Sequence, residues 1–209
     1  TTAENFDYHM PYGELPVILN FTKDNPEKIE PYLVSNPNLV TKWNKLLPKG
    51  KIRIGFSWRS QLLEGNRSIG YTKLDQWERL LTDEKFSVIN LQYGDISDDI
   101  AEISSDLSDR IFFPDIDLKN DMENLTGIMQ NCDVVIAPGN AVLQHAGAVG
   151  VKTISYDQPN GAYFLGRKKI PLQSAVHPFI KNNITVCFGL ESRQLIPELV
   201  EKELKKIFP

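Results

Sequence analysis

From Lys51 onward the chain repeats one rhythm: a short unbroken apolar run, a polar turn, then an amphipathic stretch. The apolar runs are Lys51–Ser57, Phe86–Gln92, Arg110–Phe113, Cys132–Ala137, Val151–Tyr156 and Ile184–Phe188. Between them, helical spacing of apolar residues predicts helices over 72–81, 121–130 and 140–149, and a last one over 192–207. In the 72–81 segment Leu74, Trp77, Leu80 and Leu81 point inward, and Thr72 is the expected N-cap. An acidic stretch near 95–109 leaves room for a further short helix. Strands alternating with helices demand a parallel sheet, because a crossover helix is what returns the chain to the same edge. Strands without polar alternation are buried on both faces. The expected class is therefore α/β: a Rossmann-like parallel sheet of about six strands with helices on both faces.

Residues 1–50 do not share this rhythm. Pro11, Pro16, Pro26 and Pro31 are spread among polar and aromatic residues, which reads as a linker lying on a larger body. One helix is expected at 37–47, with Leu39, Trp43, Leu46 and Leu47 on one face and Pro48-Lys49-Gly50 ending it. The expected division is a linker or hinge segment at 1–50 and one domain at 51–209.

Composition narrows the function. With 27 acidic and 23 basic residues among 209, the chain has no general pull toward nucleic acid. No apolar run reaches the roughly 20 residues of a membrane span. No basic-then-apolar leader opens the sequence, and its sequons at Asn66, Asn124 and Asn183 are not supported by other signs of secretion, so a cytoplasmic location is expected. Cys132 and Cys187 lie in apolar runs and read as buried free thiols, and no zinc-ligand spacing exists.

In an open α/β sheet ligands bind beyond the carboxyl ends of the strands. That singles out Ser57-Trp58-Arg59, Gln92-Tyr93-Gly94, Pro114-Asp115 and Pro138-Gly139-Asn140. The glycine patterns of dinucleotide and P-loop sites are absent, as is a G-x-S-x-G elbow. Instead, Pro138-Gly139-Asn140-Ala141 leads into a helix rich in small residues. Its start either seats a phosphate on free amides or is a plain asparagine cap above a tightly packed helix. Arg59 and Arg67 fall near the same edge, where a guanidinium would bind phosphate oxygens in pairs. The combination favours a nucleoside diphosphate over a polyanion.

Two blocks, Ile54-Gly55-Phe56-Ser57-Trp58-Arg59 with Asn66-Arg67-Ser68-Ile69, and Asp133 to Val142 with Ala146-Gly147-Ala148-Val149-Gly150, resemble the donor-binding, C-terminal half of GT-B glycosyltransferases. Ile89-Asn90-Leu91-Gln92 and the Tyr8–Pro16 segment add to the likeness, which is nearest to the heptosyltransferase-like group found behind tetratricopeptide repeats. The resemblance implies a nucleotide-diphosphate-sugar donor as substrate, no cofactor and no metal, and an inverting displacement. The acceptor would be a glycan, a lipid-linked glycan or a protein, held by an N-terminal acceptor domain in a longer protein. Carried over, Arg67 holds the diphosphate, Gly139, Asn140 and Ala141 offer amides, Ser57 and Gln92 line the cleft, and Asp115 or Asp117 meets base or ribose. The chain departs from the group at Gly139-Asn140, where relatives read Asp-Thr, and at Gln144, where they carry a histidine. His145 is then either a ligand-facing group or a half-buried histidine. These departures leave a second reading, a non-catalytic nucleotide-sugar-binding or protein-interaction module. Asp115-Ile116-Asp117 matches a metal-binding Asp-x-Asp only formally.

Overall fold

The computed structural model describes residues 7–11, 14, 18, 31–61, 71–157, 183–187 and 194–209. Six parallel strands form one sheet: β1 Ile52–Phe56, β2 Phe86–Asn90, β3 Ile111–Phe112, β4 Val134–Pro138, β5 Thr153–Asp157 and β6 Asn183–Cys187, in the spatial order β3-β2-β1-β4-β5-β6. Register follows the apolar runs, with Ile54 beside both Val88 and Val134, and Ile136 beside Ile154. The helices are α1 Pro37–Leu46, α2 Glu78–Thr82, α3 Ser97–Ala101, α4 Ser105–Ser108, α5 Met122–Met129, α6 Ala141–Val149 and α7 Ile196–Ile207.

Alternation along each strand sorts the core into two faces. Val134 and Ile136 of β4 join Ile54, Phe56, Val88, Ile154 and Tyr156 under α2 and α7, where Leu80, Val200 and Leu204 cover them. Val135 and Ala137 turn the other way, under Trp43, Ile128, Leu143 and Ala146 of α1, α5 and α6. Each fully buried side chain of this size contributes about 1.5–3 kcal/mol. Close approach needs small residues at two points. A Cβ at Gly55 would stand 2.5 Å from Leu91 Cδ1, and one at Gly127 would stand 3.2 Å from the backbone of Leu39. Gly127 thus lets α1 lie against α5, where Trp43 Nε1 donates to Asn124 Oδ1 at 2.8 Å and Asn131 Nδ2 to the Val40 carbonyl at 2.9 Å.

Three local expectations need correction. The 72–81 segment is a 3₁₀ turn, Leu74–Trp77, running into the short α2. Thr72 is not its N-cap: its buried hydroxyl donates to the Trp58 carbonyl at 3.2 Å and accepts from Trp77 Nε1 at 2.9 Å. Leu46 faces solvent, and Leu47 alone reaches the core at that helix end. Cys132 is a buried free thiol, its titration pushed up to about 12 chiefly by desolvation. The side chain of Cys187 lies outside the described residues.

Candidate functional site

The strand order reverses between β1 and β4, because the chain leaves β1 toward β2 and leaves β4 toward β5. A crevice opens at such a switch point, above the strand ends. Its two lips are Ser57-Trp58-Arg59 after β1 and Gly139-Asn140 after β4. Gln92, two residues past β2, stands on the other side of Ser57.

A buried polar network joins these lips. Asn140 caps α6 by accepting from the Leu143 amide at 3.2 Å, and its Nδ2 donates to Ser57 Oγ at 3.0 Å and to the Arg59 carbonyl at 3.1 Å. Gln92 Oε1 accepts from Ser57 Oγ at 3.0 Å, from the Trp58 amide at 3.1 Å and from the Arg59 amide at 3.0 Å. Below them Tyr156, fully buried, donates its hydroxyl toward the Ser57 and Trp58 carbonyls at 3.2 and 3.0 Å. Its ring packs at a tilt of 41° against Trp77, which meets Phe56 edge-on at a centroid distance of 4.9 Å. Aromatic packing under the loop and hydrogen bonds through it brace residues 57–59 from below and from both sides.

Helix α6 has nine residues, long enough to carry a useful partial positive charge at its start. Of its first amides, Leu143 is met by the Asn140 cap, whereas Ala141 and Val142 form no hydrogen bond among the described residues. Ala141 is exposed, and Gly139 partly so. Thus Asn140 is a cap, and among the described residues it leaves two first-turn amides without a partner, one on exposed Ala141 and one on buried Val142. The far end of α6 closes on Gly150 at φ +87°, where the Tyr32 and Leu33 amides bond the Ala148 carbonyl at 2.9 and 3.0 Å.

Arg59 requires a correction. Its guanidinium does not stand free for a phosphate: Nε donates to the Asp99 carboxylate at 3.0 and 3.1 Å, Nη2 binds the same carboxylate, and Nη2 also reaches the Asp95 carbonyl at 2.8 Å. Trp58 Nε1 donates to Asp99 Oδ1 at 3.0 Å. Asp99, on α3, is the important residue sequence reasoning missed. Its one signal was position, just past β2 on the edge that carries Arg59. Arg67 lies outside the described residues.

Asp115 is exposed beyond β3. Asp117 is committed to a turn, accepting from Asn120 Nδ2 at 2.7 Å and from the Lys119 amide at 2.9 Å, which hold its titration below the usual carboxylate value. Among the described residues no group of three His, Cys, Asp or Glu side chains gathers as metal ligands. Gln144 is exposed on α6. His145, half-buried, pairs Nε2 with Thr126 Oγ1 at 2.7 Å, and burial lowers its pKa. It borders a mostly apolar cleft of about 220 Å³ next to the first turn of α6, walled by Tyr93, Leu118, Met122, Leu125 and Val142. Leu118 and Met122 were not singled out in the sequence, since ordinary apolar residues carry no ligand signal.

The strand order has counterparts among solved structures. The E. coli ADP-heptose lps heptosyltransferase II superposes with a TM-score of 0.59 at 14% identity, over 85% of this chain and 53% of that one. The fold matches one half of the GT-B fold. An E. coli heptosyltransferase solved with ADP superposes with a TM-score of 0.51 at 13% identity, over 80% of this chain and 48% of that one. The family 9 glycosyl transferase of Veillonella parvula gives 0.50 at 13% identity, over 85% and 47%. In sequence, the chain is 29% identical over 180 residues to protein FlbA of Caulobacter vibrioides, covering 85% of this chain and 30% of FlbA. No family model matches the chain. The chain spans about half the length of the solved structures it matches. No helix among its described residues is long and apolar enough to cross a membrane.

Proposed function

We propose that this GT-B half binds the nucleotide-sugar donor of an inverting, metal-independent glycosyltransferase. The observation that carries the reading is the pairing, at the switch point, of the hydrogen-bonded Ser57–Arg59 loop with the Ala141 and Val142 amides, which have no partner among the described residues. A diphosphate on those amides meets fixed donors and the positive end of a helix, with no reorganisation when charge develops. The apolar cleft beside α6 takes the nucleoside, and Arg67 supplies the cation that Arg59 does not. In the reaction an acceptor oxygen bonds the anomeric carbon as the bond to the diphosphate breaks. The acceptor proton passes to a base outside this half, and the leaving diphosphate stays on the α6 amides. The turn that occupies Asp117 supports metal independence, since it withdraws one carboxylate of the Asp-x-Asp match.

In the longer protein the reading has 1–50 as hinge and 51–209 as donor domain. An acceptor half precedes them, with tetratricopeptide repeats nearby and a cytoplasmic location. Calorimetry against ADP-, UDP- and GDP-sugars tests it. Saturable binding of one of them, unchanged by chelator, is expected. Binding only with manganese or magnesium removes the metal-free mechanism, and no binding by folded protein removes the reading. Donor binding with no transfer or donor hydrolysis by the longer protein would favour a non-catalytic module.

A further inference from the structure

The network at the switch point has a direction fixed by chemistry. Asn140 must turn its Oδ1 to the Leu143 amide, so its Nδ2 faces Ser57. A hydroxyl that accepts from an amide NH2 sends its own proton elsewhere. For Ser57 the nearer acceptor is Gln92 Oε1 at 3.0 Å, against 3.4 Å to the Arg59 carbonyl. The Gln92 amide is in turn oriented by Nε2 donating to the Tyr93 carbonyl at 3.1 Å. Its backbone amide is held by Asn90 Oδ1 at 3.0 Å. The relay runs from the end of β2, across the end of β1, to the head of α6, and all three of its side chains are buried. In so dry a place each bond is strengthened and each orphaned group is costly.

We propose that Gln92 is a positioning residue for the donor seat: by gathering three donors from residues 57–59 on one oxygen, it sets the orientation of Ser57, hence of the Asn140 cap, hence of the first turn of α6. The proposal rests on the reading that a diphosphate sits on that turn, although the relay can be measured without a ligand. Both polar ends of the Gln92 side chain are committed to protein partners, so it acts through the loop and does not touch the donor. Leucine at this position takes the acceptor from the Trp58 and Arg59 amides and leaves the Ser57 hydroxyl proton only the Arg59 carbonyl at 3.4 Å. Glutamate keeps an acceptor for those donors but turns the donation to the Tyr93 carbonyl into an opposition of two oxygens.

Amide hydrogen exchange at Leu143 is the direct readout, because Leu143 lies on α6 and Gln92 does not touch it. Gln92→Leu and Ser57→Ala are compared with Leu80→Ala, which opens the core on the opposite face of the sheet and leaves the relay intact. Exchange at Leu143 should quicken about tenfold in the two relay variants relative to that control, as loss of one net hydrogen bond implies. Affinity for whichever nucleotide sugar the unaltered chain binds should weaken by a similar factor. Unchanged Leu143 exchange in Ser57→Ala overturns the relay, and this variant decides alone if Gln92→Leu does not fold. Faster exchange with unchanged affinity overturns the positioning role. Absence of any nucleotide-sugar binding by the unaltered chain defeats the donor reading, while the exchange result still decides the relay.

Discussion

Replacing Asp99 by alanine probes how the loop after β1 is held. The carboxylate receives Arg59 Nε, Arg59 Nη2 and Trp58 Nε1, and the two charged side chains are only 12% and 14% exposed. Its removal strands a nearly buried guanidinium with the Asp95 carbonyl at 2.8 Å as its best remaining partner. Breaking a buried pair from one side costs about 3–5 kcal/mol, because a charge is left uncompensated. The surviving carbonyl and the residual water access reduce this, so about 2–4 kcal/mol is expected. In urea, followed by the fluorescence of Trp58 and Trp77, the midpoint should fall with an unchanged slope. For a chain of this length the melting temperature should drop by roughly 4–16 °C. Glu102→Ala is the comparison, since its pair with Lys73 is well exposed and should scarcely move the midpoint. An Asp99→Ala midpoint no lower than that of Glu102→Ala would refute the strut.

Gly55→Ala should destabilise the chain by about 1–3 kcal/mol by overpacking, since Leu91, Val135 and Cys132 all stand within 3.2 Å of the added carbon; a gain in stability would show that β1 has slack there. Glu84 is pulled down to about 2 by hydrogen bonds from Lys51 and then Arg110. Its stabilising effect is therefore complete above pH 4.5 and fades as pH falls toward 2, and Lys51→Met with Arg110→Met should return its NMR titration toward 4.5; an unmoved titration contradicts the assignment. His145 is also shifted down, but for a different reason: burial disfavours its charged form, so the folded state resists protonation and loses stability as pH falls below about 6.5. His145→Gln should flatten that part of the pH–stability curve, and an unaltered curve would place the titrating group elsewhere.

Most of the fold was legible because burial on two faces leaves a coarse mark. Strands such as Val134–Pro138 must be apolar throughout, and the helices between them must be apolar on one stripe only. The cap of α6 was equally readable, since Asn140 follows a strand and precedes a helical stripe. What could not be read was how polar groups pair across the chain. Arg59 looks free until Asp99, forty residues on, takes it. Thr72 carries every local sign of a cap, yet Trp58 and Trp77 claim its hydroxyl from below. Gln92 looks like a cleft-lining residue because its position is right, whereas both ends of its side chain are used inside the fold. Pattern locates an element, and three-dimensional competition for donors decides what a side chain does there.

The place where a nucleotide touches the chain decides whether the head of α6 is the donor seat. Backbone amide shifts recorded during titration with a nucleoside diphosphate should be largest at Gly139, Ala141 and Val142, with residues 57–59 following. If the largest shifts instead fall on the opposite end of the sheet, around Arg79, Phe86 and Lys205, the donor seat at the head of α6 is wrong.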